Sequence, residues 1–447
     1  MKKNIFKTFV ALFFIAMIVS CKKEDKLDTD FSKLNIDNPE STEVDDWLTK
    51  TFLDEYNMEV IYRYNRFYHG ENKDVAAVKI EKIKPQMQTY LEGFLLPYRK
   101  IAGTAFIKKY SPKQVVLFGS GSYNDGGYTV ATASGGRNIT IYDVNNFDLN
   151  NADHIVSKAQ TIHHEYTHIL NQIVPMPADF QLITKSTYRA KWTDKSKETA
   201  QAEGYVTPYA SSSPIEDFAE TTTFLLVYGQ VWYDKFANGS TKEGKAALKA
   251  KEASVEQYFT ANLGIDFRKL QKEIQDYMKS QKVPAVTFGY WLNQGYYKSF
   301  MVDLDKDGNY NINGISKEFE EAYKASKINV EKKSPKDNPK FHWIDFRFKS
   351  ATTMELVISY SWNNGLYGDV YQYNIAINNA TGETTFTRVP GGQWLQNEIK
   401  PLLDYLKNNK FIADWLPATY NGLYTNYGGF YVEGNPSNYF YGPLVKK

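Results

Sequence analysis

The chain has 447 residues, of which 42% are hydrophobic, and this is enough to bury the cores of two or three domains. Lys and Arg number 53 against 51 Asp and Glu, so the formal net charge is only +2 and no strong positive field favours binding to nucleic acid. Aromatic residues make up 15% of the chain, a composition typical of sheet-rich segments.

The first twenty residues have the layout of an export signal. Lys2 and Lys3 precede the apolar run FVALFFIAMIVS, which is short for a membrane span, and Cys21, the only cysteine of the chain, follows it. The end of this run resembles the lipobox of bacterial lipoproteins, in which the signal is removed before the cysteine and the thiol is lipidated. We therefore expect residues 1–20 to be a signal peptide and Cys21 to carry a lipid anchor.

The segment after Cys21 is charged and lacks apolar periodicity, which predicts a flexible tether over residues 21–42. Its sequence KKEDKLDTD resembles the surface-export signal of lipoproteins in the Bacteroidetes. The expected location is the outer membrane, reached through the lipid anchor alone. Whether the protein faces the periplasm or the cell surface stays open.

The chain between residues 42 and 143 is predicted to alternate between helix and strand. Thr42 and an acidic first turn begin a helix over TEVDDWLTKTFLDEY, and MEVIYRY follows as a strand. Residues 79–110 are predicted to be mostly helical. The sequences QVVLFGS, GYTVATAS and NITIYDV then predict three strands separated by Gly-rich turns, so a small sheet is expected before the next helix.

A long helix is predicted from a cap at Asn151 or Asp153 to Val174, where Pro175 and Pro177 stop it. Its apolar residues recur at spacings of three and four and form one stripe: Ile155, Ala159, Ile162, Tyr166, Ile169, Leu170 and Ile173. This stripe should face a core, so the opposite side of the helix is left for polar residues.

A second buried helix is predicted after a polar stretch over residues 178–207. Ser213 is its cap, Pro214 its first residue, and the helix is expected to run without a break through SPIEDFAETTTFLLVYGQVWYDKF. Its predicted apolar stripe consists of Ile215, Phe218, Thr222, Leu225 and Leu226. Two more helices are predicted at about 241–258 and 264–279.

Beyond about residue 285 the composition changes to alternating strands such as HWIDFRF, MELVISYS and VYQYNIAI, interrupted by one helix from Trp394 to about Lys410. The predicted fold class is therefore α+β, with a mixed domain over residues 43–284 and a separate β-rich domain over residues 285–447. The many aromatic residues of the final segment are expected to pack within the sheet.

The long helix contains the motif HExxH, formed by His164, Glu165 and His168. Two imidazoles one turn apart on one helix face are close enough to share a zinc ion, and they point away from the apolar stripe. Glu165 then lies beside the zinc-bound water. The sequence therefore predicts a Zn²⁺ site with His164 and His168 as ligands and Glu165 as general base.

A catalytic zinc needs one further protein ligand. The metzincin extension of the motif is absent, because Asn171 and Val174 stand where its Gly and third His would be. The second helix offers Glu216 and Glu220, four residues apart on one face. We expect Glu216 to bind the metal and Glu220 to accept a hydrogen bond from a ligand histidine, with Glu220 as the fallback ligand.

One alternative explains Glu216 without a metal. Ser213 and Glu216 fit the capping box SxxE, but this reading leaves Glu220 unexplained. Asp217 is expected either to be solvated or to hydrogen-bond to a metal ligand without binding the metal itself, and no role is assigned to it.

The sequences HHEYTH and YASSSPIEDFAE together resemble the zinc-binding metallopeptidases found among Bacteroidetes lipoproteins, which are encoded beside outer-membrane nutrient importers. They are also similar to the anthrax-lethal-factor type of gluzincin. The likeness covers residues 43–284 and implies a zincin-like metallopeptidase domain. In that type a tyrosine seven residues before the ligand Glu stabilises the oxyanion, which implies this role for Tyr209; Tyr205 is the competing candidate.

The other polar features are expected to be structural. His163 flanks the apolar stripe and should pack there, and His154, His69 and His342 are isolated. The sequence DLDKDGNYNING at residues 303–314 is similar to a calcium loop but has Gly314 at its twelfth position, so a polar hairpin loop is the better account.

The expected function is that of an outer-membrane lipoprotein zinc metallohydrolase, with a peptide or protein as substrate. The resemblance implies that its products pass to a TonB-dependent importer of the SusC and SusD kind. Two alternatives stay open: a non-catalytic lipoprotein that binds a glycan or peptide and retains a structural zinc, and a hydrolase of another amide or an ester. The sequence does not separate the last alternative from a peptidase.

Overall fold

The computed structural model describes residues 40–70, 73–124, 127–129, 131–134, 137–416 and 425–447. The predicted signal peptide, the anchor Cys21 and the tether up to residue 39 lie outside these residues. Residues 47–447 form one compact unit, and residues 40–46 are the described part of the other unit. The predicted domain boundary near residue 285 stays a prediction.

The first two thirds of the chain are mainly helical. The α-helices before the barrel are α1 (Glu43–Leu48), α2 (Asp54–Tyr56), α3 (Ile80–Tyr90), α4 (Leu96–Ala102), α5 (Thr104–Tyr110), α6 (Ala152–Ile173), α7 (Phe180–Ile183), α8 (Lys197–Ala202), α9 (Pro214–Val227), α10 (Gly229–Asn238), α11 (Lys242–Gln257), α12 (Phe267–Ser280) and α13 (Phe288–Asn293). Short π-helical segments at Thr49–Leu53, Leu91–Leu95 and Tyr258–Asn262 continue three of them. The predicted helices over 79–110, 241–258 and 264–279 are therefore found, while α7 and α8 lie in a stretch that we predicted only as polar.

A small sheet lies among these helices, as predicted. Its strands are β1 (Glu59–Ile61), β2 (Gln114–Leu117), β5 (Ala131–Ser134) and β6 (Asn138–Ile141), in the order β1-β2-β6-β5; β3 (Ser122–Asn124) and β4 (Gly127–Thr129) form a separate hairpin. The pairs β1/β2 and β2/β6 are parallel, and β5 runs antiparallel to β6. Strand β6 leads directly towards α6.

The second buried helix differs from its prediction because it is broken into α9 and α10. The break lies at Gly229, which has a left-handed backbone with φ of +79°, and a Cβ there would lie 2.3 Å from the side chain of Gln275. Only glycine fits this close approach of α12 without strain. The predicted stripe of this helix is also too wide, because Ile215 is exposed.

The chain after residue 296 forms a closed barrel of eight strands. These are β7 (Tyr297–Val302), β8 (Lys340–Phe348), β9 (Thr353–Trp362), β10 (Gly365–Ile377), β11 (Glu383–Arg388), β12 (Phe411–Trp415), β13 (Tyr427–Val432) and β14 (Asn435–Lys446). Each strand pairs antiparallel with the next along the chain, and β14 pairs with β7 to close the sheet, with Leu444 opposite Phe300. The observed architecture is thus a mixed helix and strand fold that ends in a barrel.

Phenylalanine rings fill the barrel. Phe440 of β14 packs against Phe346 of β8 with the ring centroids 5.1 Å apart, and Phe300 of β7 lies 6.0 Å from Phe430 of β13. Because these strands are not neighbours, the rings point into the interior rather than outward. The prediction that aromatic residues pack within the sheet holds for this part of the chain.

Among the described residues after 296, three helices accompany the barrel strands, whereas one was predicted. They are α14 (Asn309–Asn313), α15 (Lys317–Lys332) and α16 (Lys400–Asn408). Helix α15 packs one ring on the barrel interior, since Phe319 stacks on Phe440 at 4.8 Å. The predicted polar hairpin at residues 303–314 is wrong: residues 303–308 join β7 to α14, which lies within the predicted range, and Asp303 accepts hydrogen bonds from two backbone amides of the connecting turn. None of the helices described by the structure is both long and apolar enough to cross a membrane.

Candidate metal centre

Helix α6 presents two histidines on its polar side. Asn151 caps it by accepting from the amides of Asp153 and His154, as predicted. The apolar stripe is buried up to Leu170, but Ile173 at the end of the helix is 47% exposed. Burial of this stripe fixes the rotation of α6 about its axis, so its opposite face carries the HExxH side chains.

His163 packs on the core side of the same helix, as expected. Its ring stacks on Tyr98 at 6.0 Å, and its Nε2 lies 3.2 Å from the carbonyl oxygen of Gly93. Burial lowers the pKa of His163 to about 4. This imidazole is therefore neutral at physiological pH and faces away from the HExxH site.

Helix α9 packs against α6 and brings two glutamates to the histidines. Ser213 caps it, with its Oγ accepting from the amide of Glu216 at 3.3 Å, so one half of the capping box is present. The carboxylate of Glu216 contacts His164 and His168. The cap and the histidine contacts thus use different groups of the same residue, and the two readings of Glu216 are compatible.

The three predicted ligand atoms converge. Nε2 of His164 lies 3.0 Å from Oε2 of Glu216 and 3.1 Å from Nε2 of His168. Nε2 of His168 lies 3.2 Å from Oε2 of Glu216. In the part of the chain that the structure describes, these side chains form the one group of three that could hold a metal ion.

These distances fit a zinc ion. Tetrahedral ligands at zinc bond lengths of about 2.0–2.1 Å lie about 3.3 Å from one another. Two imidazole nitrogens and one carboxylate oxygen are also a donor set that catalytic zinc sites use. The ligand roles themselves remain a prediction that this geometry supports.

Glu220 lies behind His164, on the side away from Glu216. Its Oε1 is 2.9 Å from Nδ1 of His164, and its Oε2 accepts a hydrogen bond from Thr207 at 2.7 Å. A carboxylate in this place orients the imidazole and selects the tautomer with a free Nε2. Thr207 was not singled out from the sequence, and no local pattern marks it.

The carboxylates make the site attractive to a positive charge. Burial by itself lowers the pKa of His164, but hydrogen bonds to Glu216 and Glu220 raise it to about 10. Burial likewise raises the pKa of Glu216, but the two histidines hold it well below its usual value. The two carboxylates thus favour positive charge at this position, and a divalent cation would meet the same favourable field.

Tyr209 borders the same cluster. Its ring centroid is 6.0 Å from that of His164, and its hydroxyl interacts with the carboxylate of Glu216. Trp192 packs edge-on against the ring of Tyr209, with the ring centroids 5.2 Å apart. Burial, and then the charge of Glu216, raise the pKa of Tyr209, so its hydroxyl stays protonated at physiological pH.

Tyr205, the competing candidate, points elsewhere. Its side chain is fully buried, and its hydroxyl bonds Oγ1 of Thr187 at 2.8 Å and the carbonyl oxygen of Thr184 at 3.1 Å. The structure thus brings Tyr209 and not Tyr205 to the metal ligands.

Glu165 follows His164 on α6 and is half-buried. Its charge acts on both His164 and Tyr209, raising their pKa values, which places its carboxylate near the cluster. A base beside the ligands is the arrangement that HExxH predicts.

Asp217 is not solvated, contrary to one of the sequence-based expectations. Its side chain is fully buried and pairs with Lys251, equally buried, at 2.7 Å. Tyr188 donates a further hydrogen bond to it at 2.7 Å. The burial of Lys251 was not predicted, because a lysine in the charged sequence ALKAKEASVEQ is typical of a solvated helix face.

The remaining histidines lie outside the cluster. Nδ1 of His154 accepts from the amide of Asp148 at 3.2 Å, and Nε2 of His69 lies 3.0 Å from the hydroxyl of Tyr64. His342 lies on β8 of the barrel. None of these three histidines belongs to the cluster of His164, His168 and Glu216.

The chain is similar to known proteins over part of its length. Residues 37–268 match the model of a family described as "Putative zinc-binding metallo-peptidase". A crystal structure of a "putative zinc-binding metallo-peptidase" from Bacteroides caccae ATCC 43185 is similar, with 27% sequence identity and a TM-score of 0.47 over 54% of this chain and 95% of the other. Comparison with curated proteins gives no match. The family description names zinc, which confirms the expected cofactor.

Proposed function

Because the chain belongs to the family described as "Putative zinc-binding metallo-peptidase", we propose that it is a zinc metallopeptidase of the gluzincin type that hydrolyses peptide bonds in a zincin-like domain. The observation that carries this proposal is the convergence of His164, His168 and Glu216 within 3.2 Å, beside Glu165. A site of two imidazoles, one carboxylate and a neighbouring base suits hydrolysis of an amide by activated water.

Three side chains would bind the metal directly, and a fourth would orient one of the three. His164, His168 and Glu216 would bind Zn²⁺, and Glu220 would keep the ring of His164 in the orientation that presents Nε2. When bound, zinc lowers the pKa of a water molecule to about 7 and polarises the carbonyl group of the substrate.

Glu165 would move the protons. Its carboxylate takes one proton from the attacking water as the water oxygen bonds to the carbonyl carbon. It then gives this proton to the nitrogen of the peptide bond, so that the C–N bond breaks with a neutral amine as leaving group. One water is consumed, and the products are a carboxylic acid and an amine; the acid then passes its proton to the amine, which gives a carboxylate and an ammonium group.

Tyr209 would stabilise the transition state. Negative charge grows on the carbonyl oxygen as water attacks, and a hydroxyl group aimed at that oxygen stabilises it. The raised pKa of Tyr209 serves this role, because only the protonated hydroxyl donates a hydrogen bond. Its position beside His164 supports the assignment.

The location and the partner are proposed from the N-terminal sequence and from the family resemblance. Cys21 after the apolar run supports lipidation and an outer-membrane location. Labelling with a radioactive fatty acid should mark the wild-type protein and not Cys21→Ala. A TonB-dependent importer of the SusC and SusD kind is the proposed partner, and co-purification of the lipidated protein from membranes tests it.

The decisive experiment compares the wild-type protein with Glu165→Gln on a peptide library. We expect wild type to bind one zinc per chain and to cleave, and Glu165→Gln to bind zinc equally and to cleave at least 100-fold more slowly. The exposed Glu243→Gln is the matched control and should cleave as wild type does. Equal cleavage by wild type and Glu165→Gln, or zinc binding without cleavage in both, would falsify the peptidase assignment.

A further inference from the structure

A buried ion pair lies directly behind the candidate metal ligands. Asp217 is the residue after Glu216, and its carboxylate is 2.7 Å from Nζ of Lys251, with neither side chain exposed to solvent. The hydroxyls of Tyr188 and Thr221 add hydrogen bonds at 2.7 and 3.4 Å.

The pair fixes the rotation of α9. Glu216 and Glu220 form one face of this helix, directed at α6, and Asp217 and Thr221 form the adjacent face, about 100° away. Helix α9 packs against α6 and also against α11, which carries Lys251. Rotating or sliding α9 to move Glu216 would therefore break the contact between Asp217 and Lys251.

Lys251 also ties down the segment that precedes α9. Its ammonium donates to the carbonyl oxygen of Gly204 at 2.7 Å and lies 3.9 Å from the centre of the Tyr205 ring. Gly204 has φ of +88°, and a Cβ there would lie 2.5 Å from Cβ of Ala247 on α11. The backbone at Gly204 thus lies too close to α11 for a larger residue, and Lys251 of α11 bonds it there.

The same network extends towards Tyr209. The hydroxyl of Tyr205 bonds Thr187 at 2.8 Å, and Lys195 donates to the carbonyl oxygen of Thr187 at 3.0 Å. Only a few residues separate this anchored region from Thr207, which bonds Glu220, and from Tyr209. The buried contacts of Lys251 and the bond between Thr207 and Glu220 are thus joined by a short stretch of chain that also carries Tyr209.

A buried ion pair of this kind contributes little net free energy to the stability of the fold. Removing two charges from water costs much of what their attraction returns, and apolar replacements of similar volume are often equally stable. A buried pair is, however, strongly directional, since its hydrogen bonds fix where both partners lie.

We propose that Lys251 is a positioning residue of the metal centre: through Asp217 it holds α9 so that Glu216 meets the two histidines. This inference rests on the proposed function only in that the histidines and Glu216 bind the metal. It concerns metal binding and does not depend on which bond the enzyme cleaves.

The test is metal affinity in a charge-neutral double variant, Lys251→Met with Asp217→Asn. This change removes both charges together, so that no uncompensated charge is left buried, and keeps the side-chain volumes close to those of the wild type. Lys333→Met with Glu398→Gln removes a half-buried pair of the barrel, 2.7 Å apart, and is the matched control. Folding is checked by circular dichroism and thermal unfolding, zinc affinity by competition with a chelator, and ligand geometry by the visible absorption of bound Co²⁺.

We expect the double variant to fold, to bind zinc about tenfold more weakly, and to give a changed Co²⁺ spectrum. The control pair should leave both metal measurements unchanged. A double variant that folds and binds zinc within twofold of wild type with the wild-type Co²⁺ spectrum overturns the proposal. If the double variant does not fold, Tyr188→Phe decides, since it removes one bond to Asp217: weaker zinc binding supports the proposal and unchanged binding overturns it.

The outcome is separable from that of the proposed function. If wild type binds zinc but cleaves no peptide, the peptidase assignment fails while the affinity comparison remains valid. If Glu216→Gln binds zinc as tightly as wild type, Glu216 is not a ligand and the positioning proposal is overturned with it.

Discussion

Replacing Tyr209 or Tyr205 by phenylalanine should give opposite effects, and this pair of variants examines the assignment of the oxyanion donor. Each change removes one hydroxyl and leaves the ring. Loss of one oxyanion donor lowers kcat by about 10²–10³, or about 2.7–4 kcal/mol of transition-state stabilisation. We expect this loss for Tyr209→Phe with little change in KM, because the hydroxyl acts mainly when charge grows on the carbonyl oxygen.

Tyr209→Phe should also leave zinc affinity and thermal stability close to wild type. The hydroxyl contacts Glu216, but that carboxylate keeps both histidine contacts, and Tyr209 is half-buried. Tyr205→Phe removes two hydrogen bonds of a fully buried hydroxyl, each of which contributes about 1 kcal/mol. It should therefore reduce the free energy of unfolding by about 1–3 kcal/mol and keep kcat.

The assays are steady-state kinetics on one cleaved peptide and chemical denaturation of the zinc-loaded proteins. If kcat falls in Tyr205→Phe and is retained in Tyr209→Phe, the geometric reasoning at this site is refuted. Equal losses of kcat in both variants, in step with their losses of stability, would point to general disruption instead.

Three further predictions concern the ligands, the barrel and one buried lysine. Glu220→Gln should weaken zinc binding about 10–100-fold and Glu216→Gln by more, measured by chelator competition; an unchanged affinity in Glu220→Gln would contradict its role behind the histidine. Gly442→Ala should reduce the free energy of unfolding by about 1–3 kcal/mol in denaturant titrations, because its Cβ would lie 1.9 Å from a carbonyl oxygen of β7, whereas Gly392→Ala meets nothing within 4 Å and should be neutral. Burial lowers the pKa of Lys158 from 10.5 to about 8, so the unfolded chain holds the extra proton between these values. The stability of the wild type relative to Lys158→Met should therefore increase by up to about 3 kcal/mol between pH 8 and pH 10.5, measured in parallel denaturation series over pH.

The helices that carry the site were predictable because their signals are local. The stripe on α6, its cap at Asn151 and the HExxH spacing all lie within one stretch of the chain, and Glu216 and Glu220 stand out by their spacing. Helix–helix packing then brought the two motifs together.

Features set by distant residues were not predictable. The break before Gly229 depends on Gln275 of another helix, and the burial of Asp217 depends on Lys251 of a third. In the barrel the strands were recognisable by alternation, but closure of the sheet depends on the register between β7 and β14, which no local pattern encodes. Helix α15 was missed because its surface is largely charged and few of its residues mark an apolar face.

The closure of the barrel has a consequence for how the molecule folds. The contact between Phe300 and Leu444 joins residues roughly 140 positions apart, and pairings between such distant segments form slowly. Helices α6 and α9, whose contacts span far shorter stretches, can associate earlier. Until β14 arrives, β7 has an open edge that invites pairing with other chains, so refolding yield should fall as protein concentration increases.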